Sequence, residues 1–68
     1  MIIGINVVIV NEKSDNHFDY YGKCPHCGYV EKSCTKNAWV APSSRGPLGT
    51  RTCTKCKTTY KMEAENRR

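Results

Sequence analysis

The first twelve residues, MIIGINVVIVNE, are mostly apolar and β-branched, which is typical of a strand. Alternation places Ile3, Ile5, Val7 and Ile9 on one face, and the opposite face is also largely apolar. A strand with two apolar faces must be covered on both sides or pair with another chain. The polar segment NEKSDNH and the aromatic segment HFDYYGK then predict a hairpin whose turn spans residues 11–16.

The remainder of the chain is also prone to form strands, and one loop divides it. GYVEKSCTKNAWVA predicts one or two short strands, whereas PSSRGPLG, residues 42–49, predicts a flexible loop because proline, glycine and serine dominate it. TRTCTKCKTTYKM is rich in threonine and again typical of strands. Only KMEAENRR has a helical composition, and residues 62–68 are predicted to be a tail because so short a helix is unstable without docking.

Four of the five cysteines form two pairs with the spacing of a metal site. Cys24 and Cys27 enclose two residues, as do Cys53 and Cys56, and twenty-five residues separate the pairs. Tetrahedral Zn²⁺ accepts four thiolates, and this spacing lets a tight turn direct both sulfurs of a pair to one point. Gly28 allows the positive φ that such a turn often needs. A chain of 68 residues buries only a small core, so one structural zinc ion is expected to stabilise it.

The motifs CPHCG and CTKC resemble those of the zinc ribbon family, in which two cysteine turns bind a structural zinc beside a small antiparallel sheet. The resemblance covers roughly residues 20–61. It implies a small all-β fold, namely a zinc ribbon preceded by an N-terminal hairpin at residues 1–19, within one domain of residues 1–68. Aromatic residues on either side of the first pair suit this pattern, whereas Lys57 stands where the family usually has glycine.

Two other cysteine chemistries fit part of the pattern. Cys24, Pro25, His26 and Cys27 look like the redox centre of thiol oxidoreductases, but that centre lies at a helix N-terminus in a thioredoxin-like fold, and no βαβ pattern is found here. A rubredoxin-type iron site uses the same four thiolates, although rubredoxins are acidic and this chain is basic. Four cysteine ligands leave no open metal position, and no acidic pair has a catalytic spacing, so a function other than catalysis is expected. The fifth cysteine, Cys34, is expected to be a free thiol.

The net charge of +5 is concentrated in the middle of the chain. Residues 1–31 carry two lysines against four acidic residues, a net charge of −2, whereas residues 32–61 hold seven basic residues and no acidic one. Four thiolates with one Zn²⁺ contribute −2, which lowers the total from +5 to about +3. The asymmetry indicates a polyanionic partner, DNA or RNA, whose exposed bases aromatic side chains can stack on. The expected nucleic-acid-binding face comprises Lys32, Lys36, Arg45, Arg51, Lys55, Lys57, Lys61, Tyr29, Trp39 and Tyr60.

The alternative for Trp39 is burial in the core, which a chain with so few large residues favours. The alternative to nucleic acid is a protein partner. The apolar residues 1–10 are suited to add to a sheet edge of a larger transcription or translation machine, as a small regulator does, or to pair with a second copy of the chain. MIIGINVVIV has no basic start or cleavage site and is too short to span a bilayer, so no membrane association is expected. Paired metal-binding cysteines are typical of a reducing compartment, which makes the cytoplasm the expected location.

Overall fold

Two three-stranded antiparallel sheets make up the computed structural model, which describes residues 1–14 and 16–68. The strands are β1 (Ile2–Ile5), β2 (Val7–Glu12), β3 (His17–Gly22), β4 (Lys36–Trp39), β5 (Arg45–Thr52) and β6 (Thr59–Asn66). Sheet A has the order β1-β6-β5 and sheet B the order β2-β3-β4. The described residues contain no helix, so none that is long and apolar enough to cross a membrane occurs among them. The predicted small all-β class is confirmed.

The core is formed by one face of each sheet. Alternate residues of β3, including Phe18 and Tyr20, are buried, and so are alternate residues of β6, including Met62 and Ala64. Because side chains of a strand point alternately to opposite faces, this pattern leaves one face of each sheet for solvent. The buried residues of both sheets belong to a single cluster, and Cys24 and Cys53 belong to it as well.

The apolar N-terminal segment forms two strands rather than one. Asn6 separates them with a φ of 58°, a left-handed conformation that asparagine adopts more readily than most residues, and its Nδ2 donates to the Lys61 carbonyl oxygen at 2.8 Å. β1 pairs with β6 and β2 pairs with β3, so the segment contributes to both sheets of its own chain. The predicted hairpin is present as β2 and β3. Asp15, in its turn, lies outside the described residues.

The loop predicted at residues 42–49 is shorter in the structure, because β5 begins at Arg45. Pairing with β6 holds these residues in a strand despite their proline and glycine content. The register shifts between Pro47 and Gly49, and the φ of 101° at Gly49 fits such an irregularity. The proline and glycine content of residues 42–49 is therefore compatible with an irregular edge strand. β5 lies at the edge of sheet A, where proline is tolerated.

The prediction that residues 62–68 form a tail is wrong, because most of these residues belong to β6, the central strand of sheet A. Asn66 is almost fully buried there. Its Nδ2 donates to the Val40 carbonyl oxygen at 2.9 Å and to Asn16 Oδ1 at 2.8 Å. Val40 follows β4 and Asn16 precedes β3, so this side chain connects the end of sheet A to sheet B.

Candidate metal centre

The first knuckle, residues 24–29, is a tight turn that begins one residue after β3, beyond Lys23. The Cys24 N–H donates to the Tyr29 carbonyl oxygen at 2.9 Å, and the Gly28 N–H donates to the Cys24 carbonyl oxygen at 3.0 Å. Gly28 has a φ of 77°, and a Cβ built on it would contact nothing. Glycine is therefore favoured there by backbone conformation and not by lack of space.

The second knuckle, residues 53–58, joins β5 to β6 and has the same two hydrogen bonds. The Cys53 N–H donates to the Thr58 carbonyl oxygen and the Lys57 N–H donates to the Cys53 carbonyl oxygen, both at 2.9 Å. Lys57 occupies the position equivalent to Gly28 and has a φ of 64°. The turn is thus preserved without glycine, at a conformational cost of about 1–2 kcal/mol.

Replacing Lys57 with glycine is expected to stabilise the zinc-bound protein by about 0.5–1 kcal/mol. Relief of the left-handed conformation is partly offset by the greater conformational freedom of glycine in the unfolded chain. Denaturant unfolding of the zinc-loaded protein measures the difference. Lys57→Ala is the control, because it removes the same charge but keeps the left-handed conformation. Equal stabilisation by both variants would show that charge, and not the backbone, is responsible.

The two knuckles bring four cysteine sulfurs together. All four Sγ atoms lie within 4.8 Å of one another. Cys24 Sγ and Cys56 Sγ are 3.5 Å apart, and Cys27 Sγ and Cys53 Sγ are 3.6 Å apart. Thiolates placed tetrahedrally at 2.3 Å from zinc would be about 3.8 Å apart, which the observed spacing approaches. These are the four ligands that the sequence predicts, and the site they form can hold one structural zinc ion.

Hydrogen bonds give these sulfurs unequal acidity. The Thr58 hydroxyl lies 3.3 Å from Cys56 Sγ, and this contact, together with a backbone hydrogen bond from Thr58, lowers the pKa of Cys56 to about 6. At Cys27 a backbone hydrogen bond from Tyr29 lowers the pKa, but desolvation and hydrogen bonds to the other three sulfurs outweigh it and raise the pKa to about 12. A metal ion must therefore displace the protons that the cluster still holds before all four sulfurs bind it as thiolates.

Replacing Thr58 with valine is expected to weaken zinc binding by roughly ten- to a hundredfold. Valine has a similar shape but lacks the hydroxyl that lies 3.3 Å from Cys56 Sγ, and partners that orient a metal ligand typically contribute that much to affinity. Competition with a chromophoric zinc chelator measures the change. Thr59→Val is the matched control, because the Thr59 hydroxyl contacts Thr52 Oγ1 instead of a sulfur. Similar losses in both variants would contradict a specific role for Thr58.

A buried carboxylate that the sequence did not single out supports the second knuckle. Glu31 accepts hydrogen bonds from the hydroxyls of Thr54, at 3.3 Å, and Ser33, at 3.2 Å, and an Arg51 nitrogen lies 3.6 Å away. Thr54 belongs to the second knuckle, so Glu31 connects the segment after the first knuckle to the second. No local pattern marks this residue, because its partners Thr54 and Arg51 are distant along the chain. Cys34 lies outside the four-sulfur cluster.

Three of the ten residues predicted to bind nucleic acid are buried or already paired. Tyr60 is buried in the core because it alternates with Met62 on the inner face of β6. Arg51 is paired with the buried Glu31, and Arg45 forms a 2.6 Å ion pair with Glu63. The other seven are exposed, namely Lys32, Lys36, Lys55, Lys57, Lys61, Tyr29 and Trp39. Burial of Trp39 in the core is therefore a wrong prediction.

Ion pairs divide the charged residues into two groups. Each acidic residue that the structure describes has a basic partner at 2.6 to 3.6 Å. The pairs are Lys13 with Asp19, Arg45 with Glu63, Arg51 with Glu31, Arg67 with Glu65, and Arg68 with Glu12. Within residues 1–14 and 16–68, no ion pair includes the exposed lysines Lys23, Lys32, Lys36, Lys55, Lys57 and Lys61. The excess positive charge therefore belongs to lysines, and all four arginines have carboxylate partners.

No protein-family model, curated protein or solved structure matches the chain. The fold and the site alone define its class. It is a small all-β protein with a four-cysteine site for one structural zinc, which is consistent with a zinc-ribbon-like fold.

Proposed function

We propose that the protein is a non-catalytic zinc-binding module that binds nucleic acid through lysines near its metal centre. The observation that carries this proposal is the separation of charges. Every described acidic residue has a basic partner. In the described part of the chain, six exposed lysines have no acidic partner. A lysine ammonium binds a phosphate as a point charge, so these side chains are available to a polyanionic backbone.

The metal end of the molecule, defined as residues 20–30 and 53–62, has most of this charge. It holds Lys23, Lys55, Lys57 and Lys61 and no acidic residue. A zinc ion with four thiolates contributes −2, so four positive charges leave a net charge of about +2. A phosphate backbone would be attracted to this end, and zinc would act by holding the two knuckles together. A closed four-cysteine site supplies no open position for catalysis.

The arginines suggest little preference for sequence. Direct base recognition commonly uses arginine in bidentate contacts with guanine, and each arginine here has a carboxylate partner. Lysine contacts with phosphates fix position but do not distinguish sequences. The proposed binding is therefore governed by the backbone charge and should depend strongly on salt.

The double variant Lys23→Gln with Lys55→Gln tests this function. Fluorescence anisotropy with a labelled oligonucleotide is measured at several salt concentrations. Each lost phosphate contact is expected to reduce the slope of log affinity against log salt by about 0.7–0.9, and affinity near 0.1 M salt should fall roughly tenfold or more. The control is Arg67→Gln with Arg68→Gln, which removes the same net charge from two residues that have acidic partners.

The control is expected to change affinity by less than about threefold, because its two side chains already neutralise carboxylates. Equal losses in both double variants would mean that net charge alone matters and would contradict a site at the metal end. Binding that does not change with salt would contradict phosphate recognition altogether.

A protein partner is the second candidate, and two exposed apolar residues favour it. Ile5 on β1 is 39% exposed and Val10 on β2 is 51% exposed. Both strands lie at sheet edges, where another strand can add. Capture of a protein that persists at high salt and is lost when Val10 is replaced by lysine would favour this candidate over nucleic acid.

A further inference from the structure

Aromatic side chains lie on the outer face of sheet B, the face turned away from the core. Because Phe18 and Tyr20 point inward from β3, His17, Asp19 and Tyr21 point outward. The register extends this face to the neighbouring strands. We call it the aromatic face, and it includes Val8, His17, Asp19, Tyr21, Asn37 and Trp39.

Trp39 is the most unusual member of this face. It is 56% exposed although the chain is small and has only one tryptophan to contribute to a core. It is the cross-strand neighbour of His17, and the two ring centroids are 6.4 Å apart with the planes inclined by 55°. Two exposed rings at one position form a surface on which a flat, apolar group can stack.

The acidic residue on this face is neutralised. Asp19 lies 3.5 Å from the Lys13 ammonium, and Asn37 Nδ2 donates to its carboxylate at 3.1 Å. Lys23 follows the same alternation two residues beyond Tyr21, at the end that leads into the first knuckle. The face therefore presents rings and amides beside a lysine, with no unpaired negative charge among its described residues to repel a phosphate.

We propose that the aromatic face binds the bases of single-stranded nucleic acid by stacking, with Trp39 as the principal platform. This inference rests on the proposed nucleic-acid binding and specifies its ligand. From His17 to Lys23 the strand spans about 20 Å, so one single strand can reach both the rings and the metal end. Bases would stack on Trp39 while phosphates contact lysines, which is how single strands are commonly bound.

The composition of the face favours a single strand over the other occupants. A duplex keeps its base faces stacked on one another, so a duplex could contact only the lysines. A protein interface would be expected to bury a continuous apolar patch. Here the Asp19 carboxylate, the Asn37 amide and the Lys13 ammonium interrupt the apolar side chains.

The test uses the zinc-loaded full chain with two probes, a twelve-nucleotide thymidine oligomer and a twelve-base-pair duplex. Since Trp39 is the only tryptophan, its intrinsic fluorescence reports contact directly. The oligomer is expected to quench it. Trp39→Ala should weaken binding of the oligomer roughly ten- to a hundredfold, with the salt slope and the duplex affinity almost unchanged, and Trp39→Phe should retain most of the affinity. Ile5→Ala, an exposed apolar residue of sheet A, is the control and should have no effect.

The outcomes separate this inference from the proposed function. If both probes bind with a salt dependence but Trp39→Ala leaves the oligomer affinity unchanged, stacking on the aromatic face is overturned and nucleic-acid binding stands. If neither probe binds at low salt, both proposals are overturned. Loss of oligomer affinity in Trp39→Ala and Ile5→Ala alike would also overturn the role of Trp39, because it would report a general loss of folded protein.

Discussion

Replacing Cys53 with serine is expected to abolish zinc binding and to unfold the protein. Cys53 is buried, and its N–H and carbonyl oxygen both close the second knuckle. Structural zinc contributes about 10–16 kcal/mol of apparent binding free energy in small zinc-binding peptides, far more than a core of this size supplies. Metal content by mass spectrometry and amide dispersion in a ¹H–¹⁵N spectrum measure the two effects.

Cys34→Ser is the matched control and is expected to be nearly silent, because Cys34 lies outside the four-sulfur cluster. Thiol counting gives a second check. The zinc-loaded protein should show one reactive thiol, and the chelated protein should show five. A folded Cys53→Ser protein with native-like dispersion would contradict a structural zinc. Iron in the purified protein would favour the rubredoxin-type alternative, and a reversible disulfide between Cys24 and Cys27 without metal would favour the redox alternative.

Deleting residues 62–68 is expected to be as damaging as losing a zinc ligand. The four register partners of β1 are residues 63–66, so the deletion removes all pairing of β1. It also removes Met62 from the core, and loss of one such side chain typically costs about 2–5 kcal/mol. Thermal unfolding followed by circular dichroism, with zinc in excess, should show no cooperative transition.

Deletion of Arg67 and Arg68 alone is the control for this truncation. It removes exposed residues together with ion pairs to Glu65 and Glu12, and such pairs typically contribute less than about 1 kcal/mol each. A small decrease in melting temperature is expected. If the chain without residues 62–68 unfolded cooperatively near the melting temperature of the full chain, the part of β6 after residue 61 would be dispensable for stability.

The metal site could be predicted from the sequence because its determinants are local. Two residues between cysteines fix how close their sulfurs can lie, and thiolate chemistry restricts which ions they bind. The second turn keeps its conformation even though Lys57 occupies the position where the first turn has glycine. The strands β2 and β3 were also predicted, because apolar and aromatic residues near a polar turn specify a hairpin locally.

The remaining features depend on contacts between residues far apart in the chain. KMEAENRR has helix-forming residues, but pairing of β6 with both β1 and β5 overrides that propensity. The division of the N-terminal segment at Asn6 depends on the same pairing, since β1 needs β6 as its neighbour. The contacts of Glu31 with Thr54 and Arg51 and the exposure of Trp39 follow from how the chain packs, which no periodicity of the sequence describes.

The pairing of β1 with residues 63–66 has a consequence for biosynthesis. The strands of sheet B and the first knuckle emerge from the ribosome well before β6, and the second knuckle emerges just ahead of it. All four cysteines therefore precede β6, the central strand of sheet A, in the order of synthesis. Until β6 emerges, the segment Ile2–Ile5 has no strand partner, and such an unpaired apolar strand is a typical target for chaperones and for aggregation.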